Sequence, residues 1–344
     1  MDINNLLRDN IRMMQSYASA RNEFDKDDES LIFLDANESP FDNGINRYPD
    51  PLQKELKGIL SQFKDVDPDQ ILLGNGSDEV LDLLFRAFCE PNRDNVITLP
   101  PTYGMYNVLA NLNAVEDRKV FLGSDFKMRL TEIMDNVDQF TKLIFLCCPN
   151  NPTGNPLCND MIIQLLEKFQ GLVVVDEAYI DFSCKESLLN RLDEFPNLVV
   201  TQTLSKAFGM AGIRLGILFA SKEIIAVLNK IKPPYNINTL TQKRAKKELL
   251  KLKEINVNIK LIIKERDRLI KEFLQINFIK KVHQSEANFI LIEVDNANLR
   301  YQQLLDNKIV VRNRTKEYGL LNCLRISIGT PAQNTILIDT LKNL

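Results

Sequence analysis

LVVTQTLSKAFGMAGIRLGILFA, residues 198–220, contains two apolar runs, 198–203 and 215–220, joined by a turn carrying Ser205, Lys206 and Arg214. Mostly continuous apolar runs of this length suit strands covered on both faces. ILLG (71–74), NVITL (95–99), LIFLCC (143–148) and LVVVDE (172–177) have the same texture, with helical stretches between them. Such alternation predicts an α/β fold built on an open, mostly parallel sheet. In that architecture ligands sit beyond the carboxyl ends of the strands, so the residues following each run are the ones to inspect.

Those residues are polar or aromatic. Asn75-Gly76-Ser77-Asp78-Glu79 follows the first run and opens a helix with Val80, Leu81, Leu84, Phe85 and Phe88 on its apolar face. Ser77 reads either as a plain helix cap or as part of a backbone cradle for a phosphate. Asp78 and Glu79 would oppose an anion there unless they point away. Pro100-Pro101-Thr102-Tyr103-Gly104 follows the second run and Pro149-Asn150-Asn151-Pro152-Thr153-Gly154 the third. Asp176 comes directly after three valines, with Tyr179 just beyond. A carboxylate placed there is buried and needs a cationic or hydrogen-bonding partner.

After Pro233-Pro234, which suits no helix interior, the texture changes. A charged amphipathic helix is expected over roughly 240–274. Strand-like runs follow at 287–294, 308–313 and 323–329. We therefore expect a large domain over 43–235. A smaller α+β domain, 236–344, would join an N-terminal arm, 1–42, that docks on it.

The bulk properties exclude several classes. A net charge of −3 gives no reason to expect nucleic acid. The basic run 242–253 has Leu249, Leu250 and Leu252 among its charges and reads as a solvated helix face. No apolar run approaches the ~18–20 residues of a membrane span, and the opening MDINNLLRDN lacks a signal-peptide layout. The six irregularly spaced cysteines suggest free thiols in a reducing cytoplasm rather than a disulfide framework. His283 is the only histidine, so neither a serine triad nor a zinc site is expected, and no metal. Acid–base work falls to Lys, Tyr, Asp, Glu or Cys.

One cofactor, pyridoxal 5′-phosphate, needs the remaining set. Its aldehyde needs an amine, and Lys206 offers one. Its ring nitrogen needs a buried carboxylate, and Asp176 offers that. Its phosphate suits a helix start, hydroxyls and a guanidinium, found in Ser77, Ser205 and Arg214. Tyr103 can face the ring, and Asn151 or Tyr179 can reach its phenolic oxygen.

Eleven segments, taken in order, carry a resemblance: YASARNE (17–23), LDANESP (34–40), NRYPDP (46–51), GNGSDE (74–79), FCEP (88–91), PPTYGMY (100–106), PNNPTG (149–154), VVDEAYIDF (174–182), TLSKAFGMAGIRLG (203–216), PPYNIN (233–238) and LRISIGT (324–330). With them the chain resembles the fold-type I pyridoxal-phosphate-dependent aminotransferase family, and within it the histidinol-phosphate aminotransferases. The resemblance implies that Lys206 is the Schiff-base lysine and Asp176 the ring-nitrogen partner. Tyr179 and Asn151 would bond the phenolic oxygen, and Tyr103 would stack on the ring. Ser77, the Asp78 backbone, Thr203, Ser205 and Arg214 would surround the phosphate. Tyr48 would reach the cofactor of the other subunit in a homodimer. Arg325 would grip the substrate anion, with Arg312 and Tyr17 in the same site and Asn37 close by.

The implied reaction passes an amino group from L-histidinol phosphate to 2-oxoglutarate, giving imidazole-acetol phosphate and glutamate by a ping-pong route. A threonine-phosphate decarboxylase or an aromatic amino-acid aminotransferase shares fold and cofactor. YASAR and the Arg312–Arg325 pair favour the histidinol-phosphate reading, by resemblance. A nicotinamide-dependent oxidoreductase built on GNGSDE lacks the third glycine and leaves Lys206 idle. A non-catalytic binding protein would need neither Lys206 nor Asp176.

Overall fold

The computed structural model describes residues 3–15 and 31–344. In chain order the first part comprises α1 (Asp9–Met13), α2 (Lys54–Lys64), β1 (Ile71–Asn75), α3 (Ser77–Phe88), β2 (Asn95–Thr98), α4 (Met105–Leu112), β3 (Glu116–Lys119), α5 (Leu130–Asp135), β4 (Thr141–Cys147), α6 (Asn159–Lys168), β5 (Leu172–Asp176), β6 (Leu198–Thr203), β7 (Leu215–Ala220) and α7 (Lys222–Ile231). Then come α8 (Thr239–Leu249), α9 (Leu252–Phe273), β8 (Ile279–Val282), β9 (Phe289–Val294), α10 (Ala297–Asp306), β10 (Arg312–Asn313), β11 (Cys323–Ser327) and α11 (Pro331–Lys342).

Seven strands form one sheet in the order β1-β7-β6-β5-β4-β2-β3. All pairings in it are parallel except those of β7, which runs antiparallel to both β1 and β6. The expected mostly parallel sheet is thus present. Both faces are covered: Val173 and Val175 of β5 enter one core, Leu172 and Val174 the other. Alternate side chains of a strand point to opposite faces, so a continuous valine run is what this burial requires. A second, antiparallel sheet has the order β10-β11-β9-β8, and α9 and α11 supply much of its core.

Two expectations need correction, and one strand lies where none is expected. The helix expected over 240–274 is two helices, α8 and α9, parted at Leu250 and Lys251. α8 packs on α2, whereas α9 packs on the second sheet and on α11. β3 (EDRK) has no apolar residue to mark it as a strand; it lies at the sheet edge, where charge discourages further pairing. The start of the N-terminal arm does not dock on the second sheet. Ile3, Leu7 and Ile11 pack into the core containing α3, Arg8 N–H donates to Ala87 O at 3.1 Å, and Lys230 Nζ of α7 donates to Ile11 O at 2.7 Å. Ile3 from a 3-10 turn, Leu7 from the bend after it and Ile11 from α1 all enter the core that contains residues of α3 and α7.

Candidate active site

The carboxyl ends of β1, β2, β4, β5 and β6 meet at one cavity of about 830 Å³. The antiparallel β7 starts there, so its entry residue, Arg214, joins them. Ser77, Asp78, Tyr103, Asn151, Asp176, Tyr179, Thr203, Ser205, Lys206 and Arg214 all line this cavity, as do Arg312 and Arg325 from the second sheet. Segments far apart in the chain thereby converge.

At the β1–α3 turn, Gly76 has φ +78 and ψ 168 and takes the N-cap position. Ser77 is therefore the first helical residue rather than the cap, and its side chain caps nothing. Gly76 N–H donates to Arg214 O at 3.0 Å. A Cβ on Gly76 would lie 2.6 Å from Arg214 Nη2, and one on Gly216 would lie 2.3 Å from Ser77 N. The helix start and the β7 entry thus share space that only glycine leaves open. Glu79 turns away from the cavity and accepts from Asn75 N–H and, at 2.9 Å, from Asn236 Nδ2. Asp78 accepts from the Tyr103 hydroxyl at 3.0 Å and lies 3.7 Å from Arg214 Nη2.

Asp176 closes β5 and is buried. Its partner is a residue that sequence reasoning does not single out: the fully buried Tyr106 donates to Asp176 Oδ2 at 2.7 Å. Ala178 N–H donates to Oδ1 at 3.1 Å. Burial pushes the Asp176 carboxyl above its ordinary value, and these donors pull it back. Tyr106 is legible only as the second tyrosine of PPTYGMY; its ring stacks on Phe145 at 4.9 Å, and that fixes where its hydroxyl points.

Lys206 sits in the β6–β7 turn with its ammonium 5.7 Å from the centre of the Tyr179 ring. Burial lowers its pKa, and the Arg325 and Arg214 charges add to the effect against the pull of Asp176 and Asp78. The amine is thus held nearer to neutrality than an exposed lysine. Arg312 and Arg325 stand directly opposite each other on β10 and β11. Like charges at facing sheet positions repel, so this pairing favours an anion between them. Arg325 donates to the Asn151 side-chain oxygen, while its Nε is buried with no hydrogen-bond partner among the described residues.

The aminotransferase class I and II family model matches residues 20–341. The chain belongs to this family. As a class I and II aminotransferase it is 59% identical to the histidinol-phosphate aminotransferase of Flavobacterium johnsoniae over 99% of this chain and 98% of that one. The solved histidinol-phosphate aminotransferase of Clostridium acetobutylicum superposes with a TM-score of 0.80 at 27% identity, over 87% of this chain and 90% of that one. The Sinorhizobium meliloti histidinol-phosphate aminotransferase, solved in complex with pyridoxal-5′-phosphate, shares the fold at TM-score 0.79 and 23% identity, over 86% and 82% of the two chains.

Asn37, expected close to the site, and Tyr48, expected to act on the cofactor of the other subunit, do not line this chain's own cavity. Tyr48 and Asn37 line a separate groove of about 450 Å³, where Tyr48 stacks on Tyr235 at 4.5 Å. Tyr17 lies outside the described residues. His283 is half-buried against Phe126, and burial lowers its pKa to about 4, so the ring is neutral near pH 7. Among the described residues no helix is long and apolar enough to cross a membrane, and no cluster of three His, Cys, Asp or Glu side chains could hold a metal.

Proposed function

We propose that this chain is a pyridoxal-phosphate-dependent aminotransferase that moves the amino group of L-histidinol phosphate to 2-oxoglutarate in histidine biosynthesis. The observation carrying the reading is the convergence of an amine, a buried carboxylate, a glycine-walled helix start and facing arginines on one cavity. The names of relatives at 59% and 57% identity support the same substrate.

The donor set fits the cofactor. Asp176 offers an acceptor, held by Tyr106, to the ring nitrogen. The Ser77 and Asp78 amides, with Thr203, Ser205 and Arg214, suit the phosphate. Asn151 and Tyr179 suit the phenolic oxygen, and Tyr103 the ring face. When bound, the cofactor supplies the electron sink that lets an amine and a ketone exchange. Lys206 Nζ would hold the cofactor through its aldehyde carbon and be freed when the substrate amine takes its place. Freed, it would take the proton from the substrate carbon that bears nitrogen and deliver it to the cofactor's aldehyde carbon, a task its lowered pKa favours. Arg325, with an unused buried Nε, and Arg312 opposite grip the substrate's anionic group.

The working unit is a homodimer in which Tyr48 reaches the partner's cavity. The support is the exposed apolar surface near the Tyr48 groove, where Ile32, Leu34 and Phe41 are each more than 80% exposed. The cytoplasm suits its cysteines, all of them free.

The test starts with purified protein and pyridoxal phosphate. Borohydride should fix the cofactor covalently to the wild type and not to Lys206→Ala. In a separate sample not treated with borohydride, histidinol phosphate alone should shift the cofactor absorbance, and 2-oxoglutarate should restore it. A faster shift with phenylalanine, or release of carbon dioxide from threonine phosphate, would overturn the substrate reading.

A further inference from the structure

The cavity has an outer wall that the chemistry at Lys206 does not use. It is the turn between β10 and β11. There Arg314 Nε lies 2.9 Å from Glu317 Oε1, and Glu317 N–H donates to Arg314 O at 2.9 Å. The turn's own backbone therefore sets the two side chains beside each other. Tyr318, next in the chain, meets Phe121 from the segment after β3, with ring centres 3.9 Å apart and planes tilted by 36°. This contact clasps the turn to the opposite side of the cavity. All four residues line the same cavity as Lys206.

Burial raises the Glu317 pKa, and Arg314 and Arg325 oppose the rise. Arg325 in turn sits within the fields of Arg314 and Arg312. The wall thus holds three guanidiniums and one carboxylate. Arg312 and Arg325 are accounted for by the anion common to both substrates. The neutral Arg314–Glu317 pair is left over.

The two proposed substrates differ most at the end remote from the reacting nitrogen. The donor presents a planar ring with an N–H; the acceptor presents a carboxylate. One subsite has to receive both in turn. A fixed cation would favour the acceptor, and a fixed anion would favour the donor. Two opposite charges side by side serve either, because each visitor pairs with one member while the other stays in place.

We propose that Arg314 and Glu317 form the specificity subsite for the remote end of both substrates, with Glu317 accepting from the donor's ring N–H, Arg314 donating to the acceptor's distal carboxylate, and Tyr318 and Phe121 as the apolar wall beside the ring. This rests on the histidinol-phosphate reading above.

The test measures each half-reaction separately, by stopped-flow absorbance of the holoenzyme. Glu317→Gln should raise KM for histidinol phosphate about tenfold and leave that for 2-oxoglutarate within about threefold. Arg314→Gln should raise KM for 2-oxoglutarate about tenfold and spare histidinol phosphate. Pyruvate, which lacks the distal carboxylate, should react equally well with Arg314→Gln and wild type. A pair that merely staples the turn would move both substrates together in each variant, and that result overturns the assignment. Wild-type enzyme inert toward histidinol phosphate would overturn the underlying reading first, before any variant is compared.

Discussion

Gly216→Ala is the sharpest probe of the cofactor cradle. Gly216 faces Gly74 across the β1–β7 ladder and Thr203 across β6–β7. An added Cβ would lie 2.3 Å from both Gly76 C and Ser77 N, and 2.5 Å from Gly76 O. Carbon atoms normally approach to about 3.5–4.0 Å, so the chains must part by roughly 1 Å. The clashing atoms are backbone, and no side chain can swing aside. The bond from Gly76 N–H to Arg214 O stands in the path of that separation. Overpacking costs about 1–3 kcal/mol and the lost bond about 1, so a destabilisation of roughly 2–4 kcal/mol is expected. The larger effect falls on ligand binding, because the Ser77 amide moves with the turn. Losing one hydrogen bond to a charged phosphate, about 1.5–3 kcal/mol, weakens pyridoxal phosphate about 10–150-fold. The assay is a fluorescence titration of apoprotein with the cofactor, run beside thermal melting. Gly212→Ala is the control: it lies four residues earlier, in the turn that leads into β7, and a Cβ there meets nothing within 4 Å. If Gly216→Ala binds the cofactor and melts as Gly212→Ala does, the close approach is not what shapes the cradle.

Two further outcomes follow from the same site. Tyr106→Phe keeps the ring on Phe145 but removes the 2.7 Å bond to Asp176, worth about 1.5–3 kcal/mol to an ionised partner. The Asp176 carboxyl then rises further, so the acid limb of the pH–rate profile should move to higher pH; an unmoved limb would make Tyr106 a space filler. Lys206→Met addresses the apoprotein. The Lys206 pKa is lowered by folding, so the unfolded chain binds the extra proton between the folded pKa and the ordinary lysine value. Wild-type stability should therefore rise with pH across that window, and the penalty is complete below it. Lys206→Met should melt above the wild type at neutral pH, with the gap closing in alkali. Calorimetry at several pH values checks this, and a gap independent of pH contradicts it.

The central strands are legible because burial on both faces demands a particular composition, and Val173–Val175 or Leu198–Val200 supply it. β3 has no such demand on it. Its pairing with β2 depends on position, to which its own residues bear no witness. The parting of α8 from α9 is hidden for another reason. Leu250 and Lys251 are ordinary helix formers, and the chain breaks there because the flanking helices serve different surfaces. For the site, residue type suffices where the chemistry is scarce. A lysine just past a strand and an aspartate just past three valines seldom serve packing alone. Tyr106 and the Arg314–Glu317 pair escape notice because tyrosines and surface charges are common; only their placement against Asp176 and the cavity sets them apart.

The direction of β7 has a consequence for how the chain is made. β1 touches the rest of its sheet only through β7, so residues 71–75 stay an unpaired edge until 215–220 have left the ribosome. Until then the backbone groups of Ile71, Leu72 and Leu73 lack their ladder partners. Late pairing of this kind makes folding slow and leaves partly made chains prone to association. The strand that brings Arg214 to the helix start also completes the sheet. A ribosome stalled before residue 215 would therefore leave an unpaired strand edge and an unfinished cradle together.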